Sequence, residues 1–222
     1  MTSPDSSTCL IVFARNAVAG RVKTRLIPTL GTEGATRLHR AMTQQTLATA
    51  AKSTAQHREL WLDAPPHDDP PLDEWIGDLL HRYGMTCHEQ RGNDLGRRMF
   101  YAMQCALQAC AKVVLIGSDC PAIDPPFLTA AFRALDDHDV VLGPALDGGY
   151  VLIGARRLDQ RLFDRVPWGT GEVLSTTRSR LSALNWSWTE LPALRDVDDI
   201  DDLEHYPQLR ALVGSAYNPT IV

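Results

Sequence analysis

KVVLIGSDCP, Lys112 to Pro121, carries an unbroken apolar run that stops at a glycine and is followed almost at once by a carboxylate. Val113, Val114, Leu115 and Ile116 suit a strand buried on both faces of a parallel sheet, where no polar face is needed and β-branched residues pack well. In open α/β sheets ligands bind in the crevice beyond the carboxyl ends of the strands, so Asp119 is placed to face a site. Gly117, Ser118 and Cys120 leave room beside it, and Pro121 turns the chain away. Asp119 reads as a metal-binding carboxylate beneath the phosphates of a nucleotide. The alternative at this point is an Asp that caps the next loop.

The 222 residues suffice for one large α/β domain, and no shift in composition marks a second. A single domain over 1–222 is expected, with 1–7 as a flexible tail. A net charge of −5 and a pI near 5.8 argue against a nucleic-acid partner, which selects for a clustered basic excess. Five scattered cysteines without a CxxC pair indicate neither a disulfide framework nor a zinc cluster, and point to a reducing cytoplasm. No basic leader opens the chain and no apolar run reaches the ~20 residues of a membrane span, so neither export nor a membrane partner is expected. The seven histidines show no HxH or HExxH spacing.

TCLIVFA, Thr8 to Ala14, is expected to be the first strand. The segment after it, ARNAVAGRVKTRL, sets Arg15, Arg21, Lys23 and Arg25 around Gly20, which lets backbone approach a ligand. Such a loop suits phosphates, with Arg for bidentate contacts and Lys as a point charge; a solvated basic turn is the other reading. It is not a Walker A loop, and no GxGxxG occurs. Thr32 is placed to cap a helix running to about Lys52, and RELWLD (58–63) reads as a second strand. APPHDDPPLDE is a proline-rich acidic surface loop, Ile76 to Tyr83 a short amphipathic helix, and MTCHEQ a third strand.

QRGNDLGRRM, Gln90 to Met99, reads as a ligand loop leading into a helix whose core face is Leu95, Met99, Ala102, Met103, Ala106 and Cys110. Asn93 and Asp94 offer donors and acceptors for a base or sugar, unless Asp94 is only the helix cap. Leu128, Ala131, Phe132 and Leu135 predict a helix after Pro125 and Pro126, and DVVLG (139–143) another strand. Asp147, before Gly148 and Gly149, reads either as an acceptor for substrate or as its turn's own Asx residue. PWGTGEV (167–173) is a loop that could close over substrate, with Thr170 as a candidate helix cap, and WSWTEL a late strand. In LRDVDDIDDL (194–203) Asp199, Asp201 and Asp202 suit an acidic helix start, whereas Asp196 and Asp198 flank Val197 and would share one face of an extended DVD. Magnesium prefers one or two carboxylates plus phosphates and water, which Asp119 with Asp198 would supply.

FAR at Phe13, GRVKTRL, GNDLGRRM, LIGSDCP, GPALDGGYVLIG, PWGTGEV and LRDVDDIDDL, in this order, resemble bacterial proteins of the GT-A, or nucleotide-diphospho-sugar transferase, fold. They are similar to 2-phospholactate guanylyltransferases and, more distantly, to molybdenum-cofactor guanylyltransferases. The resemblance implies a mixed, mostly parallel sheet flanked by helices. It also implies that Arg15, Lys23 and Arg25 hold phosphates, Asn93 and Asp94 lie near base or ribose, and Asp119 with Asp198 hold Mg2+ or Mn2+. The chain departs from the family pattern at Ala17, Val18 and Ala19, where prolines are usual, and at Asp199 to Asp202, where Thr-Pro-Glu-Asp usually follows DVD.

The expected function is metal-dependent transfer from a nucleotide sugar to a small-molecule acceptor, with Asp119 and Lys23 at the reacting diphosphate and Asp147 as the candidate general base. The alternatives are nucleotidyl transfer from a nucleoside triphosphate with release of pyrophosphate, and a non-catalytic nucleotide-binding module.

Overall fold

The computed structural model describes residues 7–63 and 74–213. Most of the proline-rich loop lies outside the described residues; Glu74, its last acid, opens a helix. The strands are β1 (Thr8–Ala14), β2 (His57–Leu62), β3 (Thr86–Glu89), β4 (Lys112–Gly117), β5 (Val140–Pro144), β6 (Tyr150–Ala155) and β7 (Trp188–Glu190). The helices are α1 (Ile27–Ala51), α2 (Glu74–Tyr83), α3 (Leu95–Leu107), α4 (Pro125–Asp137), α5 (Val173–Ala183), α6 (Ile200–Glu204) and α7 (Pro207–Val213).

One seven-stranded sheet has the order β3-β2-β1-β4-β6-β5-β7. All pairings are parallel except those of β6, which runs antiparallel to both β4 and β5. The mixed, mostly parallel α/β sheet expected from the sequence is therefore the fold. Its central strands read as apolar runs because both faces are covered. Val114 and Ile116 join α2 and α4 in one core, while Val113 and Leu115 join α3 and α5 in the other. A third cluster packs Leu38 and Met42 of α1 against Val197, Leu203, Tyr206 and Leu209.

Local chemistry explains the helix starts. Asp124 accepts from Phe127 N ahead of two prolines in α4, and Asp94 accepts from Arg97 N at the head of α3. Asp199 and Asp202 form a reciprocal capping box at α6, the exposed acidic helix start expected of them. Three expectations differ. The first helix begins at Ile27, before Thr32, and is interrupted by non-helical Gly31. Glu172, not Thr170, precedes α5; the Thr170 hydroxyl donates to Pro167 O and accepts from Glu172 N, closing the turn that leads into the helix. Leu95 is 45% exposed, so the buried face of α3 starts at Gly96 and Met99, and Cys110 is buried beyond the helix end. Among the described residues no helix is long and apolar enough to cross a membrane.

Candidate active site

Strand direction gathers the chemistry at one edge of the sheet. Because β1, β2, β3, β4, β5 and β7 point the same way, the segments that follow them all emerge at their carboxyl ends. Arg15 and Lys23 follow β1, Gln90 and Asp94 follow β3, Asp119 follows β4, Asp147 follows β5, and Asp196 and Asp198 follow β7. The last segment is pulled back along this edge by Leu146 N donating to Leu194 O and by Val197 N donating to Asp119 O at 2.9 Å. Val197 is fully buried, so Asp196 and Asp198 on either side of it are turned outward into the cleft.

Lys23 is the closure between the two ends of the chain. Its side chain is only 8% exposed, and Nζ donates to Val197 O at 2.6 Å and to Asp198 Oδ1 at 3.3 Å while lying 3.6 Å from Asp119 Oδ2. Its backbone is left-handed (φ 46°, ψ 47°), a conformation that costs a non-glycine residue roughly 1 kcal/mol. A buried ammonium needs charged and carbonyl acceptors to offset its lost hydration, and here it has them. Arg25, whose side chain is 71% exposed, reaches Asp198 Oδ2 at 3.5 Å, an exposed pair of little energetic weight that leaves the guanidinium free to change partner.

Asp147, Asp196 and Asp198 each present a carboxylate oxygen, all within 4.8 Å of one another. Burial pushes the Asp196 carboxyl up to about 6, with the charges of Asp119, Asp147 and Asp198 adding to it. Four carboxylates, Asp119, Asp147, Asp196 and Asp198, thus stand near two cations, Lys23 and Arg25. An all-carboxylate set of hard oxygens matches the ligand chemistry of Mg2+ or Mn2+. Asp119 sits across Lys23 from this group, so Asp198 is the carboxylate common to both arrangements.

These residues border a cleft of about 570 Å³, within the usual size of a small-molecule site. A groove of about 730 Å³ along α4 and β7 is larger but contains none of this chemistry. Of the residues singled out from sequence, Arg15, Lys23, Arg25, Asp94, Asp119 and Asp198 line the cleft. Asp147 touches it through its contact with Asp196 and Asp198, and its Oδ1 also accepts from Gly149 N at 2.8 Å, so the Asx turn is real as well. Gly20 (φ 79°) and Asn93 are exposed and do not line the wall.

The structure adds three cleft residues that sequence reasoning missed. His39 of α1 is buried and its Nε2 donates to Arg15 O at 2.9 Å, fixing the start of the cationic loop. Burial pushes this imidazole down, and a carbonyl partner requires Nε2 to carry the proton. Gln90 donates from Nε2 to Ala14 O and Trp61 O, binding the ends of β1 and β2 together. Arg98 enters from the first turns of α3. His39 falls in the helix pattern of α1 like any core residue, and nothing local marks it; Gln90 and Arg98 lay inside a segment recognised as a ligand loop.

Known structures share this architecture. A protein from Desulfovibrio desulfuricans G20, provisionally described as a nucleotide-diphospho-sugar transferase, is 29% identical with a TM-score of 0.81 over 96% of this chain and 99% of its own. The 4-diphosphocytidyl-2C-methyl-D-erythritol synthase of Anaerococcus prevotii is 10% identical with a TM-score of 0.61, over 93% and 99% of the two chains. Rv0371C of Mycobacterium tuberculosis H37Rv, in complex with manganese, is 17% identical with a TM-score of 0.51, over 95% and 100%. The last two likenesses concern the fold. No match was found among curated proteins. The family model described as "Uncharacterized protein conserved in bacteria (DUF2064)" matches residues 46–170, more than half of the chain, and the chain belongs to that bacterial family.

Proposed function

We propose that the protein is a divalent-metal-dependent transferase that takes an activated nucleotide, with a nucleotide sugar as donor and a small metabolite as acceptor. The observation that carries this reading is the contact of first-loop cations with Asp119 and Asp198 at the carboxyl edge of the sheet, Lys23 lying 3.3–3.6 Å from both carboxylates. The relative from Desulfovibrio desulfuricans, similar over nearly its whole length, supports the donor class by its description.

Asp119 and Asp198 are the assigned metal-binding carboxylates, with Asp196 beside them. A divalent ion held by these carboxylates would supply neutralising charge to a diphosphate leaving group. Arg15 and Arg25, neither locked in a buried pair, hold phosphate oxygens from the first loop, while Lys23 keeps that loop against the acidic segment. Asp94 faces the nucleoside side of the cleft. Asp147 takes the proton from the acceptor; Asp147→Asn then lowers turnover while nucleotide affinity stays unchanged. Catalysis on this reading rests on positioning and on fixed charges.

The test is a thermal-shift screen of nucleotides and nucleotide sugars with and without Mg2+ or Mn2+, since a ligand that binds only the folded state raises apparent stability by mass action. Product analysis follows on the hits. Free nucleoside diphosphate from a nucleotide sugar supports glycosyl transfer; pyrophosphate from a triphosphate identifies nucleotidyl transfer instead. Binding without turnover across donors and acceptors makes the protein a nucleotide-binding module. Four first-loop cations suit a triphosphate on sequence grounds, but Lys23 is occupied by the acidic segment, which weakens that preference.

A further inference from the structure

Trp168 bridges two segments that bear on the cleft. On one side its indole lies over the first turn of α3: a Cβ on Gly96 would stand 2.7 Å from Cζ2 and 2.8 Å from Nε1, so the ring packs against bare backbone there. Phe163 O closes on the same point, 2.5 Å from that Cβ. On the other side the ring meets Tyr150 edge to face, with centroids 6.2 Å apart. Gly96 stands two residues after Asp94, and Tyr150, a cleft residue, three after Asp147. One side chain thus touches the helix start that follows the nucleoside-side acid and the strand that follows the candidate base.

The loop behind Trp168 is bonded to itself. Trp168 N donates to Val166 O at 2.8 Å, the Thr170 hydroxyl to Pro167 O at 2.8 Å, and Glu172 N to Thr170 Oγ1 at 3.3 Å. Its far end reaches the Asp147 turn directly: a Cβ on Gly148 would fall 2.3 Å from Gly171 O, and Leu174 N donates to Gly148 O at 2.9 Å. A segment closed in this way transmits a shift at one end to the other, because packed contacts at both ends leave it no slack. The indole Nε1 is buried with no hydrogen-bond partner among the described residues, so shape and not polarity holds the ring in place.

We infer that Trp168 is a positioning residue: through it and its loop, the first turn of α3 fixes where the Asp147 carboxylate stands, although Trp168 itself does not line the cleft. Whatever binds beside Asp94 thereby bears on the placement of Asp147. The effect on turnover rests on the transferase reading, whereas the mechanical link is tested without any ligand.

Three backbone amides report the link: Arg97 N, which donates to Asp94 Oδ1, Gly149 N, which donates to Asp147 Oδ1, and Leu174 N. Val12 and Ile116, in the core on the opposite face of the sheet, are the controls. Hydrogen exchange is followed by NMR in metal-free, ligand-free wild type, Trp168→Ala and Trp168→Phe. Trp168→Ala is expected to speed exchange at all three reporters about tenfold beyond any change at the controls, while Trp168→Phe, which keeps a ring in place, stays within about twofold of wild type. If the alanine variant does not fold, Trp168→Leu replaces it with the same expectation, since leucine keeps apolar bulk but cannot span both contacts. Equal changes at reporters and controls would make Trp168 an ordinary core residue and overturn the inference. Unchanged exchange at Gly149 and Leu174 overturns it too, as does a phenylalanine that fails to rescue them. In the loaded enzyme Trp168→Ala is expected to lower kcat about tenfold with nucleotide affinity within about twofold, and Trp168→Phe to restore kcat; lost affinity with kcat retained refutes the role. If none of GTP, CTP and UDP-glucose binds wild type with Mg2+, the transferase reading fails, and the amide result alone decides for Trp168.

Discussion

Lys23 Nζ lies 3.3 Å from Asp198 Oδ1, across 175 residues of sequence, and 3.6 Å from Asp119 Oδ2. One ammonium therefore stands between the two carboxylates assigned to the metal ion. It holds together the loop after β1 and the segment after β7, and its charge is balanced by Asp198 and Val197 O of that segment and by Asp119 after β4.

Replacing it tests that balance. Lys23→Met keeps the length of the side chain and leaves the surrounding carboxylates facing Arg25 alone, so unfolding stability is expected to fall by about 2 kcal/mol. Mn2+ should restore more of the melting temperature in this variant than it adds to wild type. A variant as stable as wild type, with the same metal response, would show that the Lys23 contacts carry no such load.

Metal binding should depend on pH through Asp196. Its folded carboxyl is raised to about 6, above the ordinary carboxylate value, so its contribution to the metal-free protein is present at low pH and is lost as pH rises through about 6. A bound cation favours the ionised form and releases the proton. Mn2+ affinity, followed by electron paramagnetic resonance, should rise between pH 5 and 7, and Asp196→Asn should flatten this rise. An unchanged pH profile in the variant would assign the titration elsewhere.

Asp139 shows the opposite sign, far from the cleft. Burial pushes this carboxyl up, but Ser187 N and Oγ, Arg157 and Arg156 outweigh burial and hold it below the usual carboxylate range. Its stabilisation is present above the unfolded carboxylate value and is lost as pH falls through the depressed folded value. Asp139→Asn is expected to cost about 2–3 kcal/mol in urea unfolding at pH 7, with the two proteins converging as pH falls through the depressed folded value and nucleotide binding unaffected. A pH-independent difference would refute the charged role.

Gly148 holds the Asp147 turn against the loop before α5. It has φ 90°, its carbonyl accepts from Leu174 N, and a Cβ would fall 2.3 Å from Gly171 O. Gly148→Ala should cost about 2–3 kcal/mol and lower turnover, because the turn must move and Asp147 moves with it. Calorimetry of folding and a turnover assay check both effects, and a silent substitution would mean that the turn is not fixed by this contact.

Much of this arrangement was legible before folding. Asp119 after the β4 run, the cations after β1 and the capping acids of α3 and α6 each rest on interactions within a few residues, and local patterns report those well. Leu95 was misread for a physical reason: helical spacing identifies a face but not the point at which that face leaves the core and enters a cleft. Thr170 has the chemistry of a cap, yet its hydroxyl found Pro167 O in a tighter local turn. Asp147 could be assigned to a turn or to a site, and it serves the turn while its carboxylate also meets two others.

Apolar spacing was enough to mark an α/β chain with strands buried on both faces and to single out the acidic and basic segments that bear on chemistry, because burial and capping act over one strand or one helical turn; the mostly parallel order of the sheet came from the family resemblance. Folding alone established which of those segments meet. The single reversed strand β6 lets β5 and β7 deliver their loops to the same edge as β1 and β4, and buried Val197 turns Asp196 and Asp198 outward there. His39 and Arg98 reach the cleft by the same route, through strand pairing and helix packing between distant segments, whose distances no local pattern encodes.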